Sequence, residues 1–243
     1  MMKVDTGIIK SNTYIGKDVY KMEIQTDLAD EVKCGQFVEV EVPSYFLRRP
    51  ISVCEVKEDH TIVLVYKVVG VGTRFMTTIH DEISLFGPCG NGFPVEDEDV
   101  LLIGGGVGVP PLLQTAKEYK KIGKNVSVVV GFNTKEDAIL IDELKEYSDA
   151  LYIATMDGSE GTKGTVIDAI NENNVDCEYV LSCGPLPMLK AVNTKYTKGC
   201  ISLEARMACG IGACMGCVVK DSDGNSLRVC KDGPVFPIGK VVL

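Results

Sequence analysis

The chain has 243 residues, more than one typical domain of ~150, and its 45% hydrophobic and 24% charged content is ordinary for a globular protein and excludes intrinsic disorder. A net charge of −9 without a Lys/Arg cluster argues against a nucleic-acid partner, because neutralising phosphates needs grouped cations. The unusual counts are ten cysteines and twenty-five glycines, and both are clustered.

Residues 1–96 read as β structure. Tyr20, Met22 and Ile24 alternate with Lys21 and Glu23, and Val38, Val40 and Val42 alternate with Glu39 and Glu41. That period of two marks half-buried strands and places the glutamates on the water side. Thr61–Val69 is a β-branched run, and Glu82–Phe86 is a shorter candidate. Gly35, Pro43, Gly70, Gly72 and Gly87-Pro88 punctuate them, which predicts a small antiparallel barrel or sandwich. Arg48-Arg49-Pro50-Ile51-Ser52 sits in this region. Paired arginines beside a strand suit a solvated edge; equally, Arg49 suits a cofactor diphosphate and Ser52 a ring nitrogen, with Gly72 and Thr73 meeting the same diphosphate.

The acidic run Glu96–Asp99 opens a second region, 97–203. The apolar strand Val100–Ile103 begins it. Helices are predicted over Pro111–Lys121, Glu136–Tyr147, Thr165–Asn171 and Pro187–Tyr196, and strands over Val126–Gly131, Leu151–Thr155, Tyr179–Ser182 and Cys200–Leu203. This alternation predicts a parallel sheet with helices on both faces, a fold that binds ligands at the C-terminal ends of its strands. Two glycine turns fall at such ends: Gly104-Gly105-Gly106-Val107-Gly108 and Cys183-Gly184-Pro185. The first departs from the dinucleotide fingerprint, so alone it reads equally as a structural turn. The turn Gly131–Asp137 has no Arg to receive a 2′-phosphate, which leans toward NAD; Glu136 and Asp137 also simply suit a first helical turn.

From residue 204 to 243 the periodicity is lost. Cys209, Cys214, Cys217 and Cys230 fall within 22 residues, where random scatter would put roughly one. The first three follow the C-x₄-C-x₂-C spacing of plant-type ferredoxins, with the fourth further on. Gly210, Gly212 and Gly216 let backbone N–H groups approach the sulfurs. A four-cysteine zinc site is the rival, but zinc ribbons use paired CxxC knuckles and only one is present. So short a segment needs a metal in place of a core. Cys34, Cys54, Cys89, Cys177, Cys183 and Cys200 are scattered and read as small buried side chains. No apolar signal region follows Met1, and Val100–Ala116 is too broken by glycine and proline to cross a membrane. Thiols in a reduced compartment therefore predict a cytoplasmic protein.

In this order the segments resemble the ferredoxin-NADP reductase superfamily and, within it, the electron-transfer subunits of type B NAD-dependent dihydroorotate dehydrogenases. The resemblance spans the chain through Gly35-Gln36-Phe37, Arg49–Ser52, Gly87–Gly92, Gly104–Pro111, Cys183–Met188, Glu204–Cys214 and Val229–Phe236. It implies a multi-domain chain: an antiparallel β-barrel flavin domain, an α/β nucleotide domain and a small iron-sulfur lobe. It also implies FAD on Arg49, Pro50, Ile51, Ser52, Val65, Tyr66, Lys67, Gly72 and Thr73. NAD would meet Gly104, Gly105, Gly106, Gly108, Cys183, Gly184 and Pro185. A 2Fe-2S cluster would sit on Cys209, Cys214, Cys217 and Cys230. The implied partner is an FMN-containing dihydroorotate dehydrogenase catalytic subunit in a heterotetramer, and no acid–base residue is required on this chain. Met207, Ile211 and Met215 are candidates for the face that meets it. The wider superfamily carries Tyr where Ile51 stands, and ferredoxin-NADP or sulfide reductase subunits often carry Asp where Cys209 stands. Both positions favour the dihydroorotate branch over a ferredoxin-NAD(P) or sulfide oxidoreductase subunit, and a non-redox zinc module leaves the arginine and glycine segments unexplained.

Overall fold

The computed structural model describes residues 2–243. Six antiparallel strands close a barrel: β1 (Lys3–Gly16), β2 (Val19–Gln25), β3 (Phe37–Val40), β4 (Arg49–Lys57), β5 (Thr61–Lys67) and β6 (Glu82–Cys89), in the order β1-β2-β5-β4-β3-β6. A short helix, α1 (Val71–Met76), follows β5. On β5, Ile62, Leu64 and Tyr66 fill the barrel with Met22 and Ile24, while Val63 and Val65 face outward into a second core. Both faces of β5 are buried, which explains its unbroken apolar run. The sequence gives no warning of β1, a strand with Lys3, Asp5 and Lys10 along it. Register shifts at Ile9/Ser11 and Tyr14/Gly16 bend it, so it pairs first with β6 and then with β2.

The second unit is a seven-stranded sheet. Its strands are β7 (Val100–Gly105), β8 (Val126–Phe132), β9 (Ala150–Thr155), β10 (Thr162–Lys163), β11 (Tyr179–Cys183), β12 (Lys198–Ser202) and β15 (Val235–Pro237). All pairings are parallel except β12 with β15. Helices α2 (Pro110–Lys121) and α3 (Ile141–Glu146) place Leu112, Leu113 and Leu144 against one face. Helices α4 (Val166–Glu172) and α5 (Leu186–Lys195) place Ile170 and Leu189 against the other. The helix predicted over Glu136–Tyr147 is half as long as expected. Thr134 donates from its N–H and hydroxyl to Asp137 at 3.2 and 3.0 Å, closing a single tight turn. Ile139 and Leu140 then turn inward, and Leu140 at φ 59° restarts the chain as α3.

Beyond residue 204 the chain forms a hairpin, β13 (Val218–Lys220) and β14 (Ser226–Arg228), before β15 rejoins the sheet with Phe236 opposite Ile201. Val229, Phe236 and Val241 share a core with Val180 and Ile201 of the sheet and with Phe37 and Cys89 of the barrel. The segment thus has a core, drawn from both neighbours. Barrel and sheet are also joined directly. The Val56 N–H donates to Gln114 Oε1 at 2.8 Å, and Lys117 pairs with Glu55 at 2.6 Å. This contact of α2 with β4 fixes the cleft between the two units.

Candidate functional site

A cavity of about 610 Å³ opens between barrel and sheet. From the barrel, Arg49, Pro50, Ile51 and Ser52 of β4, Val65, Tyr66 and Lys67 of β5, and Thr73 of α1 reach its wall. Glu204, Met207 and Pro234 come from the C-terminal segment, and Val107 and Cys183 from the sheet. The two arginines separate in role. Arg48 is held by Glu41 at 2.6 Å and by the Ser84 hydroxyl and carbonyl at 2.9 and 3.1 Å. Arg49 lies over the Gly72 backbone, where a side chain on Gly72 would collide with the guanidinium. It also donates to the Leu47 carbonyl and stands 5.4 Å from the Tyr45 ring centre. The Thr73 hydroxyl accepts from the N–H of Val69 and of Gly70, at 3.0 and 3.2 Å, and so holds the turn beneath. Tyr66 contributes backbone more than side chain. Its ring stacks on Tyr20 at 5.9 Å and its hydroxyl donates to Asn12 at 3.0 Å inside the barrel.

The two glycine turns come together as one rim. Gly104 and Cys183 are paired neighbours at the ends of β7 and β11. A Cβ on Gly108 would strike the Cys183 carbonyl and stand 2.5 Å from Gly184 Cα, so this approach requires glycine. Gly106, at φ 52°, faces open space, while Pro185 and Met188 pack on Gly105. Of this set only Cys183 and the intervening Val107 reach the cavity wall. Burial, with Glu204 adding, pushes the Cys183 thiol up to about 12, so it stays protonated. Asp137 is committed to Thr134, and Lys135 pairs with Glu160 at 3.0 Å, which leaves the turn after β8 internally satisfied.

The four clustered cysteines associate two and two: Cys209 with Cys214, and Cys217 with Cys230. Backbone N–H groups point at their sulfurs. Gly212 donates to Cys230 at 3.1 Å, Ala213 and Cys214 to Cys209 at 3.3 and 3.4 Å, Gly216 to Cys214 at 3.4 Å, and Cys230 to Cys217 at 3.4 Å. Burial raises the Cys209 thiol, but the N–H donors of Cys214, Ile211 and Ala213 outweigh it and bring the value down to about 6. Two thiol pairs wrapped in N–H donors fit a binuclear cluster carrying negative charge. Arg228 braces the loop from below. It donates to the Gly212 carbonyl at 3.0 Å and clasps Asp232 at 2.9 and 3.1 Å, on either side of Cys230. Cavity and cysteines are neighbours in the chain: Met207 lines the cavity and Cys209 follows two residues later.

Ile211, Cys214 and Met215 are exposed at the tip of the loop, whereas Met207 is half-buried in the cavity wall. Of the scattered cysteines, Cys34, Cys54, Cys89, Cys183 and Cys200 are buried and Cys177 is half-buried. Sequence reasoning also passed over Arg228 at the cysteine loop, Glu39 buried against Gly210 and Phe46 on the cavity wall. The charges at Arg228 and Asp232 flanking Cys230 at i,i+4 were a usable signal; the others left none.

The iron-sulfur cluster binding domain of dihydroorotate dehydrogenase B matches residues 204–242, and an oxidoreductase NAD-binding domain matches residues 102–194. The electron transfer subunit of dihydroorotate dehydrogenase B (NAD(+)) from Fusobacterium nucleatum is 43% identical over 252 residues, covering 97% of each chain. The same subunit from Bacillus cereus is 41% identical over 260 residues, covering both chains completely. This chain belongs to the family of dihydroorotate dehydrogenase B electron transfer subunits. As such it is an oxidoreductase subunit that works with a catalytic partner. The family's fold extends to a solved NADH-dependent reduced ferredoxin-NADP oxidoreductase, 33% identical with a TM-score of 0.88 over 97% of this chain and 89% of that one. The Amycolatopsis cytochrome P450 reductase shares the fold at 21% identity and a TM-score of 0.68, over 78% of this chain and 64% of that one. No helix among the described residues is long and apolar enough to cross a membrane.

Proposed function

We propose that this chain carries electrons from a dihydroorotate-oxidising FMN subunit, in a cytoplasmic heterotetramer of pyrimidine biosynthesis, to NAD. The observation that carries the reading is the junction of Met207 and Cys209, which sets a cofactor-sized cavity against two thiol pairs. Two residues of chain span at most ~7 Å, short enough for electrons to pass. FAD in the cavity and a 2Fe-2S cluster on the cysteines would supply the chemistry, the cluster giving single electrons and the flavin joining them into a hydride for NAD.

The chain's own residues bind and position. Arg49 faces the cavity to meet a diphosphate, and Ser52 sits three residues along the same strand toward the inner end. Cys209, Cys214, Cys217 and Cys230 hold the irons, and the five N–H donors lower the cost of negative charge on sulfur. The rim of Gly104, Gly105, Gly106, Gly108, Gly184 and Pro185 receives the nicotinamide nucleotide, with Val107 and Cys183 between it and the cavity. Domain limits of 1–96, 97–203 and 204–243 assign one cofactor to each part. A reduced compartment suits ten cysteines of which none is paired in a disulfide.

A second reading, an FAD/2Fe-2S subunit of a ferredoxin-NAD(P) or sulfide oxidoreductase, is favoured by the likeness to the ferredoxin-NADP oxidoreductase. Co-expression with an FMN catalytic subunit, followed by assay of dihydroorotate-driven NAD reduction, separates the two. A complex loaded with FMN, FAD and iron-sulfur that leaves NAD untouched would overturn the first reading. Reduction driven by ferredoxin or sulfide would then establish the second.

A further inference from the structure

Phe46 is wholly exposed (100%) although it lines the cavity wall. Its neighbours are fixed. The Tyr45 N–H donates to the Val42 carbonyl at 3.0 Å, and the Tyr45 ring packs on Phe75 of α1 at 6.1 Å. On the other side, the Leu47 carbonyl accepts from Arg49. Phe46 is therefore presented on a braced loop. Val69, 80% exposed, lines the cavity too, and makes it a mixed aromatic and aliphatic wall.

The order of residues along the chain gives this stretch of wall an occupant. Phe46 is followed by Arg49, then Ser52, then Val56 docked on α2. Val107 and Cys183 on the cavity wall belong to the nucleotide unit, so the redox ring must lie beside them to meet nicotinamide. Arg49 marks the diphosphate. What remains, on the Phe46 side of the diphosphate, is the adenosine half of FAD. Three residues from Arg49 to Phe46 span at most ~10 Å, the scale of a ribose and base. Every base offers a π-face to an aromatic ring.

We propose that Phe46 stacks on the adenine of FAD and is the residue that makes this site prefer FAD to FMN. The proposal rests on the reading of the cavity as the FAD site. It is a positioning and specificity role, since the ring lies away from the reacting atoms. FMN ends at its phosphate and cannot reach Phe46.

The test is flavin titration of this full-length chain, freed of flavin and separated from its FMN-carrying partner, with FAD and FMN compared on wild type, Phe46→Ala and Phe46→Trp, melting curves to check the fold, and re-addition of the partner to check assembly. Base–aromatic stacking predicts that Phe46→Ala weakens FAD by about 5- to 100-fold, leaves FMN unchanged, and is rescued by Trp. Unchanged FAD affinity in Phe46→Ala would overturn the proposal. So would equal weakening of FAD and FMN, which would mean indirect loosening of Arg49. Loss of the catalytic subunit with FAD affinity intact would reassign Phe46 to a subunit contact. A wild-type chain that takes up no FAD would overturn this role together with the FAD reading of the cavity, whereas FAD bound independently of Phe46 would leave that reading standing.

Discussion

The Glu39 carboxyl lies against Gly210, its Oε1 2.6 Å from where a Cβ on that glycine would stand. Gly210 is at φ 66°, a conformation that already disfavours side chains. Glu39 is buried and cannot swing into water, so Gly210→Ala must displace the loop that begins at Cys209. Iron and sulfide per chain should fall well below wild type while FAD content holds. Full iron and sulfide occupancy in Gly210→Ala would contradict this linkage.

Neither carboxyl oxygen of Glu39 has a hydrogen-bond partner among the described residues. Burial pushes its pKa up to about 7 from an ordinary 4.5, against the opposing pull of Arg48. A raised acid pKa means that the folded chain retains a proton which the unfolded chain releases. The associated stability is full below pH 4.5 and is lost as pH rises through about 7. Glu39→Gln should therefore melt several degrees higher than wild type at pH 8 and equally at pH 4.5. A constant difference across that range would rule out titration of Glu39 as its origin.

Cys214→Ser removes one sulfur from the Cys209–Cys214 pair and the acceptor for the Gly216 N–H. The visible iron-sulfur spectrum should disappear, while FAD stays bound because no cavity residue changes. The segment beyond residue 204 should keep its fold, since Val229 and Phe236 are anchored in the shared core. Proteolytic sensitivity confined to that segment would show that the metal, not the core, holds it.

Arg48 and Arg49 should respond oppositely to alanine. Arg48→Ala frees Glu41 and both oxygens of Ser84, a loss of about 1–3 kcal/mol read as a lower Tm, with FAD affinity little changed. Arg49→Ala should leave Tm nearly unchanged and weaken FAD roughly 10- to 100-fold, the scale of a charge-assisted hydrogen bond. Similar effects of both would place the two arginines in one role.

The sheet and its helices were legible because each element has a period. Val126–Phe132 and Val100–Gly105 are runs buried on both faces, and α2 opens on Pro110-Pro111. Alternation misled at Glu39. The face it assigns to water is covered by the cluster loop, which arrives from 170 residues further along and leaves no local trace. β1 was missed because its bulges break the period. The spacing of Cys209, Cys214, Cys217 and Cys230 was legible because the four lie close together in the chain, and the structure brings them together as two thiol pairs. The wall at Phe46 had no such signature, because a single aromatic in a loop gains meaning only from the cavity beside it.

Gly108→Ala tests the nucleotide rim at its tightest point. The added methyl would meet backbone, the Cys183 carbonyl and Gly184 Cα, not a side chain that can rotate away. The Gly104–Gly108 turn must then lift from the end of β11, separating the two halves of the rim. FAD and iron-sulfur content should stay at wild-type levels, because the residues proposed to hold them lie mostly on the barrel and beyond residue 204. The KM for NAD should rise by tenfold or more, with the larger part of the loss in KM rather than kcat if the rim binds the nucleotide uniformly in ground and transition states. Loss of FAD alongside NAD would instead show that the two sites share Val107 and Cys183 so closely that the rim cannot move alone.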